Sequence, residues 1–111
     1  MLPAASRLTK PHDYASAMRG KRSSRATITC HLAVSQEFVQ PRIGFIVNRA
    51  VGNSVIRHLV VRRLRHIARE ILPLLPANAL LVVRAKPAAA SASSGLLEHD
   101  LMSSIESLVA A

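Results

Sequence analysis

The sequence predicts a small domain of mixed helices and strands, and three observations lead there. A chain of 111 residues, half of them hydrophobic, is long enough to bury one modest core and too short for two. Two segments alternate apolar and polar residues with the period of a strand, and two longer ones repeat apolar residues with the period of a helix. With a short apolar run and a short first helix added, the order reads α-β-β-α-β-α, without an internal repeat.

Residues 12 to 19 fit a short helix with Tyr14 and Met18 four apart on one side, ended by Gly20. From Ala26 to Val34, Ile28, Cys30, Leu32 and Val34 share one face while Thr27, Thr29, His31 and Ala33 share the other, the pattern of a half-buried strand. A second strand runs over about residues 42 to 48, with Ile43, Phe45 and Val47 on one side. A turn within 36 to 41 precedes it, part of which would extend the two strands as a hairpin; dividing the first hairpin would add a third strand. Gly52, Asn53 and Ser54 supply flexible backbone and capping side chains before a helix that Pro73 must stop. At 100° per residue Ile56, Val60, Leu64, Ile67 and Ile71 form its apolar stripe, His58, Arg62, Arg65 and Arg69 the opposite face, and Arg57 and Arg63 the flanks. Leu80 to Arg84 reads as a buried strand, residues 86 to 95 as an Ala/Ser/Pro/Gly loop with room for partial helix, and a last helix from about Leu96 aligns Leu97, Leu101, Ile105 and Leu108.

Fifteen Lys and Arg against six Asp and Glu give a net charge of +9, the signature of a polyanion binder. The distribution says more than the total. Residues 42 to 69 hold seven arginines and no acid, whereas no Lys or Arg follows Lys86 and half of the acids do. Arg far outnumbers Lys, as suits a planar, bidentate fork for phosphate. A merely solvated helix face would mix signs into i, i+4 pairs; here unrelieved like charges cost a few tenths of a kcal/mol per pair, and RNA phosphates would neutralise them.

The five histidines form no i, i+4 helical pair and no cluster with cysteine or carboxylate, which disfavours a metal site; His58 and His66 read instead as RNA-facing donors. Cys30 is the sole cysteine, so the chain forms no internal disulfide and fits a reducing cytoplasm. The first nineteen residues lack a signal-peptide pattern, and no apolar stretch approaches a membrane span. A cytoplasmic protein is expected.

The segment Arg49-Ala-Val-Gly-Asn-Ser-Val-Ile-Arg-His-Leu-Val-Val-Arg-Arg-Leu-Arg65 resembles the signature of the bacterial ribonuclease P protein family, roughly basic-x-Val-Gly-Asn-x-Val-x-Arg-Asn-Arg-x-Lys-Arg-Arg-Leu-Arg. Arg7-Leu8 and Asp13-Tyr14 are similar to its N-terminal positions, Pro41 to Gly44 to its Ser-Arg-Leu-Gly strand, and Leu81 to Pro87 to its late strand and Arg-Pro turn. The resemblance covers about residues 7 to 108. Departures are His58 for the usual Asn, Leu59 for Arg, Val61 for Lys, and Met18 for an aromatic residue.

The resemblance implies an α+β fold, one domain over residues 1 to 111, with a sheet of about four strands packed with helices and a left-handed β-α-β crossover that breaks the usual rule. It implies the RNA-binding subunit of an endoribonuclease that removes the 5′ leader of precursor tRNA, with no catalytic residues on the protein and no metal bound by it alone. Magnesium is expected in the holoenzyme, through the RNA. Arg49, Gly52, Asn53, Arg57, His58, Arg62, Arg63, Arg65 and Arg69 would face the catalytic RNA. Tyr14, Met18, His31 and Phe45 would line a cleft between the first helix and the sheet for the single-stranded leader, where planar groups suit unstacked bases. The expected partners are catalytic RNA and precursor tRNA, with no DNA, no membrane and no protein required. The alternative is a general RNA-binding or ribosome-associated module with no enzyme partner. A basic membrane-surface helix is weaker still, since the stripe lacks interfacial Trp or Phe.

Overall fold

The computed structural model describes residues 3–110. Among these, a 3-10 turn at Ala4–Ser6 leads into α1 (Pro11–Met18), β1 (Lys21–Ser24), β2 (Ile28–Val34), β3 (Arg42–Ile46), α2 (Ser54–Ile71), β4 (Ala79–Ala85) and α3 (Ser94–Ala110), with further 3-10 turns at Leu72–Leu74 and Pro87–Ala90. The fold is α+β, and the four strands form one mixed sheet in the order β1-β2-β4-β3. β1 pairs with β2 and β2 with β4 antiparallel, while β3 runs parallel to β4. β3, α2 and β4 therefore form a β-α-β unit, the crossover to which the family expectation of left-handedness applies.

Two sequence expectations change here. β2 and β3 are not a hairpin, because β4 lies between them and takes the backbone hydrogen bonds of both. The hairpin that does form joins β1 to β2, closed by Arg25 N–H donating to the Ile28 carbonyl at 2.8 Å. β1 is the additional strand; its Lys-Arg-Ser-Ser sequence has no apolar period because it is a sheet edge held by backbone pairing. The second change is that β2 is buried on both faces from Ile28 to Leu32 rather than half-buried.

Both faces are covered because helices pack on each. On one, Ile28, Cys30, Leu32, Ile43, Leu81 and Val83 meet the stripe of α2 (Val60, Leu64, Ile67, Ile71) and of α3 (Leu97, Leu101, Ile105, Leu108). Each fully buried aliphatic side chain contributes about 1.5–3 kcal/mol. On the other face Leu80 and Val82 pack with Leu8, Ala17 and the half-buried Tyr14 and Met18. Cys30 sits at the bottom of the larger cluster, where burial pushes its thiol up to about 12.

Local chemistry sets the helix starts, as expected at Asn53 and in addition at Ser93. Asn53 Oδ1 accepts from Ile56 N–H at 3.0 Å and caps α2, a contact of the kind that stabilises by about 1 kcal/mol. Ser93 Oγ accepts from Leu96 N–H at 3.1 Å at the start of α3. α3 is locked to the sheet by Asp100, whose Oδ2 accepts from Thr27 N–H at 3.1 Å and Thr27 Oγ1–H at 2.6 Å. Among the described residues no helix is long and apolar enough to cross a membrane.

Candidate nucleic-acid interface

The cationic surface is built on α2 and the loop before it. The predicted stripe is the buried one, so the opposite residues must face outward: His58, Arg62 and Arg69 are exposed, as are His66 and, in the loop, Arg49. Asn48 Oδ1 accepts from Ala50 N–H at 3.1 Å, and buried Val51 anchors the loop. A Cβ at Gly52 would come within 2.9 Å of the Ile56 side chain, so this entry into α2 needs glycine. Asn53 uses its carbonyl oxygen in the cap.

The flanking arginines behave differently. Arg63 is half-buried and its Nη1 donates to the Ala92 carbonyl at 3.3 Å, fastening the approach to α3. Arg57 is half-buried, and its buried Nε has no hydrogen-bond partner. Arg65, expected on the outward face with Arg62 and Arg69, is half-buried instead, because it lies over the β3 edge in a pocket of about 120 Å³ that it shares with Val61, Gly44 and Tyr14.

Strand register builds a second surface on the face away from α2. Arg22 pairs with His31, His31 with Val82, and Val82 with Gly44, so these four lie in one cross-strand row. The next row on the same face is Ser24, Thr29, Arg84 and Ile46. Met18 of α1, Arg22, Thr29, His31, Arg84 and Lys86 line a cleft of about 390 Å³ where these rows emerge beside the helix. His31 is 7 % exposed, its Nδ1 is buried without a partner, and burial followed by the charges of Arg22 and Arg84 lowers its pKa. The imidazole is thus held toward its neutral form, able to donate from one nitrogen and accept at the other.

Of the four residues expected in this cleft, Met18 and His31 line it. Phe45 does not. It pairs with Val83, in the row of Cys30, and packs into the α2 and α3 core on the opposite face, because alternation along β3 gives the cleft side to Gly44. Tyr14 faces the cleft side of the sheet but at the far end of α1, over the β3 edge. Its hydroxyl donates to the Leu8 carbonyl at 3.3 Å, and a Cβ on Gly44 would fall 2.5 Å from its ring. Burial raises the Tyr14 pKa against a hydrogen bond from the Phe45 backbone and the nearby charge of Arg65. Tyr14 therefore stands between the two surfaces.

Sequence reasoning missed Arg22, Arg84 and Lys86 as cleft residues. Arg84 carried a signal as the lone charge ending an apolar run, but Arg22 and Lys86 became cleft residues only through pairing. Lys86 is fixed by its Nζ donating to the Arg25 carbonyl at 2.6 Å.

A sheet with an Arg-rich helix on one face and a cation-lined cleft on the other defines a basic α+β protein whose surfaces suit a polyanion. Comparison with known proteins specifies the family. The sequence profile described as Ribonuclease P matches residues 2–109. The chain is 52 % identical to the ribonuclease P protein component of a Nocardioides species over 104 residues, covering 91 % of this chain and 89 % of the relative. It is 42 % identical to that of Streptomyces griseus over 118 residues, covering 98 % and 96 %. In fold it is similar to a mutant of the Staphylococcus aureus RNase P protein, with a TM-score of 0.83 at 20 % identity over 92 % of this chain and 86 % of that one. The Thermotoga maritima RNase P protein gives 0.74 at 19 % identity over 87 % and 92 %. The chain belongs to the ribonuclease P protein family: it is the RNA-binding protein subunit of that tRNA-processing ribonucleoprotein, and its partner is the ribonuclease P RNA. The reading as a general RNA-binding module with no enzyme partner is not favoured.

Proposed function

We propose that the two surfaces divide the two RNAs between them. The outward face of α2, with Arg62, Arg69 and His58, the half-buried Arg65 at its edge and the loop at Arg49, binds the catalytic RNA, and the cleft at Met18 and His31 holds the single-stranded 5′ leader of precursor tRNA. The observation that carries this reading is the register row joining Arg22 to His31, which puts cations beside a buried imidazole and a thioether on the face opposite α2. Guanidinium forks on the rim suit the phosphates of an extended strand, and a shallow floor with a flat ring suits unstacked bases. Met18 gives a base apolar contact without ring stacking.

Hydrolysis of the phosphodiester then falls to the RNA, with magnesium held there activating water. The protein strengthens substrate binding and neutralises charge where the RNA must fold and gather metal, in the cytoplasm. The test is photocrosslinking from 4-thiouridine placed along the leader of precursor tRNA bound to the reconstituted holoenzyme. Adducts should fall on the peptides containing Met18 to Arg22 and Arg84 to Lys86. Adducts confined to α2 would overturn the division.

A further inference from the structure

Charge alone does not account for the groove between α2 and α3. It is open to solvent, with a volume of about 620 Å³. Its floor is apolar. Leu59, 41 % exposed, sits among Arg62, Arg63, Arg65 and His66 in the lining, with the edge of the core residue Ile67, 5 % exposed, beneath it; Val55, one turn before Leu59 and outside the groove, is 75 % exposed. Arg62, Arg63 and His66 line the α2 side, and Glu98 lines the α3 side. Arg63 Nη1 donates to the Ala92 carbonyl at 3.3 Å and so ties α2 to the segment leading into α3 beside the groove, leaving the other guanidinium N–H groups for a ligand.

Each of these features excludes a simpler occupant. A phosphate by itself has no use for a leucine floor and is repelled by Glu98, and a solvated face gains nothing from a large exposed apolar residue at position 59. The features fit together for a ligand that is anionic at one end, flat and apolar on its faces, and a hydrogen-bond donor at its edge. An unpaired nucleotide has that chemistry: its phosphate suits guanidinium forks, its base lies on aliphatic surface, and an exocyclic amine donates to a carboxylate. An acidic protein segment would satisfy the arginines but leave Glu98 facing like charge.

We propose that the α2–α3 groove receives one unpaired nucleotide of the catalytic RNA, its base seated on Leu59 and Ile67, its phosphate at Arg62 and Arg63, and a base amino group turned to Glu98. This rests on the reading that α2 faces the catalytic RNA.

The experiment measures affinity of the full chain for ribonuclease P RNA across a salt series, with thermal melting of every variant. Leu59→Ser should weaken binding about tenfold at every salt concentration, the scale of losing one seated base, without changing the log–log salt slope, because an apolar contact releases no counterion. Leu59→Met should bind as the wild type does. Glu98→Ala decides by sign: the proposal requires weaker binding, whereas a carboxylate that only repels phosphate would give tighter binding on removal. Dimethyl sulfate should find one unpaired adenine or cytosine protected in the wild-type complex and exposed with either variant.

Unchanged affinity for Leu59→Ser at wild-type thermal stability, or tighter binding for Glu98→Ala, overturns the site. Should Leu59→Ser fold poorly, Glu98→Ala, changing an exposed side chain, still decides. Loss of salt slope in Arg62→Ala with no effect at Leu59 or Glu98 refutes this groove alone, while no effect of any arginine refutes the reading beneath it.

Discussion

Replacing Arg22 and Arg84 together by Gln should remove most of the electrostatic part of leader binding and leave the rest of the protein's work intact. Both side chains are exposed, on β1 and β4, and meet at the cleft only through the Arg22–His31 and Thr29–Arg84 pairings. With Lys86 they make three cations available to a single strand. Each phosphate contact with a single strand contributes about 0.7 to the slope of log affinity against log salt, so losing two lowers that slope by about 1.4. Between about 0.05 and 0.2 M salt, a fourfold change, the leader-dependent part of the affinity should then fall roughly sevenfold less in the variant than in the wild type. The assay compares dissociation constants of reconstituted holoenzyme for precursor and mature tRNA at each salt concentration, because their ratio cancels contacts to the tRNA body. Equal loss for both tRNAs, or an unchanged slope for the ratio, would refute the assignment of this cleft to the leader.

Arg62→Ala with Arg65→Ala should weaken binding to the catalytic RNA and lower its salt slope by roughly one unit per lost contact, with the fold retained because the buried stripe is untouched; titration over a salt series measures it. His31 ties stability to pH. Its folded-state pKa is lowered by burial and by Arg22 and Arg84, so its contribution is complete above the unfolded value of about 6.5 and is lost as pH falls below it. The melting temperature of the wild type should therefore drop more between pH 7 and pH 5 than that of His31→Gln; parallel curves would show that His31 is not the group responsible. Gly44→Ala should displace the Tyr14 ring and destabilise the protein by about 1–3 kcal/mol, the range for overpacking. Tyr14→Ala, by emptying the seat over Gly44, should lower stability and affect precursor and mature tRNA alike; a loss confined to precursor tRNA would return Tyr14 to the leader surface.

What the sequence determined by itself was everything set within one element. The stripe from Ile56 to Ile71, the outward set His58, Arg62 and Arg69, the Asn53 cap and the buried side of α3 all follow from the 3.6-residue period and from capping chemistry, which need no knowledge of the rest of the chain. The charge asymmetry and the motif from Arg49 to Arg65 were equally legible, and they carried the family. Tertiary structure decided which faces meet. Alternation states that Phe45 lies opposite Gly44 and that His31 lies opposite Cys30, but not whether Phe45 and His31 look the same way; only β4, inserted between β2 and β3, fixes that relation, and it puts them on opposite sides. A one-residue change of register would have reversed the answer. The same long-range pairing created the cleft at His31, since Arg22 lies far along the chain from Arg84 and Lys86 and joins them around His31 only when the sheet is assembled. Periodicity is a property of local backbone geometry, whereas strand order and register are settled by burying apolar surface between segments distant in sequence, and this part of the site was therefore decided only by the fold.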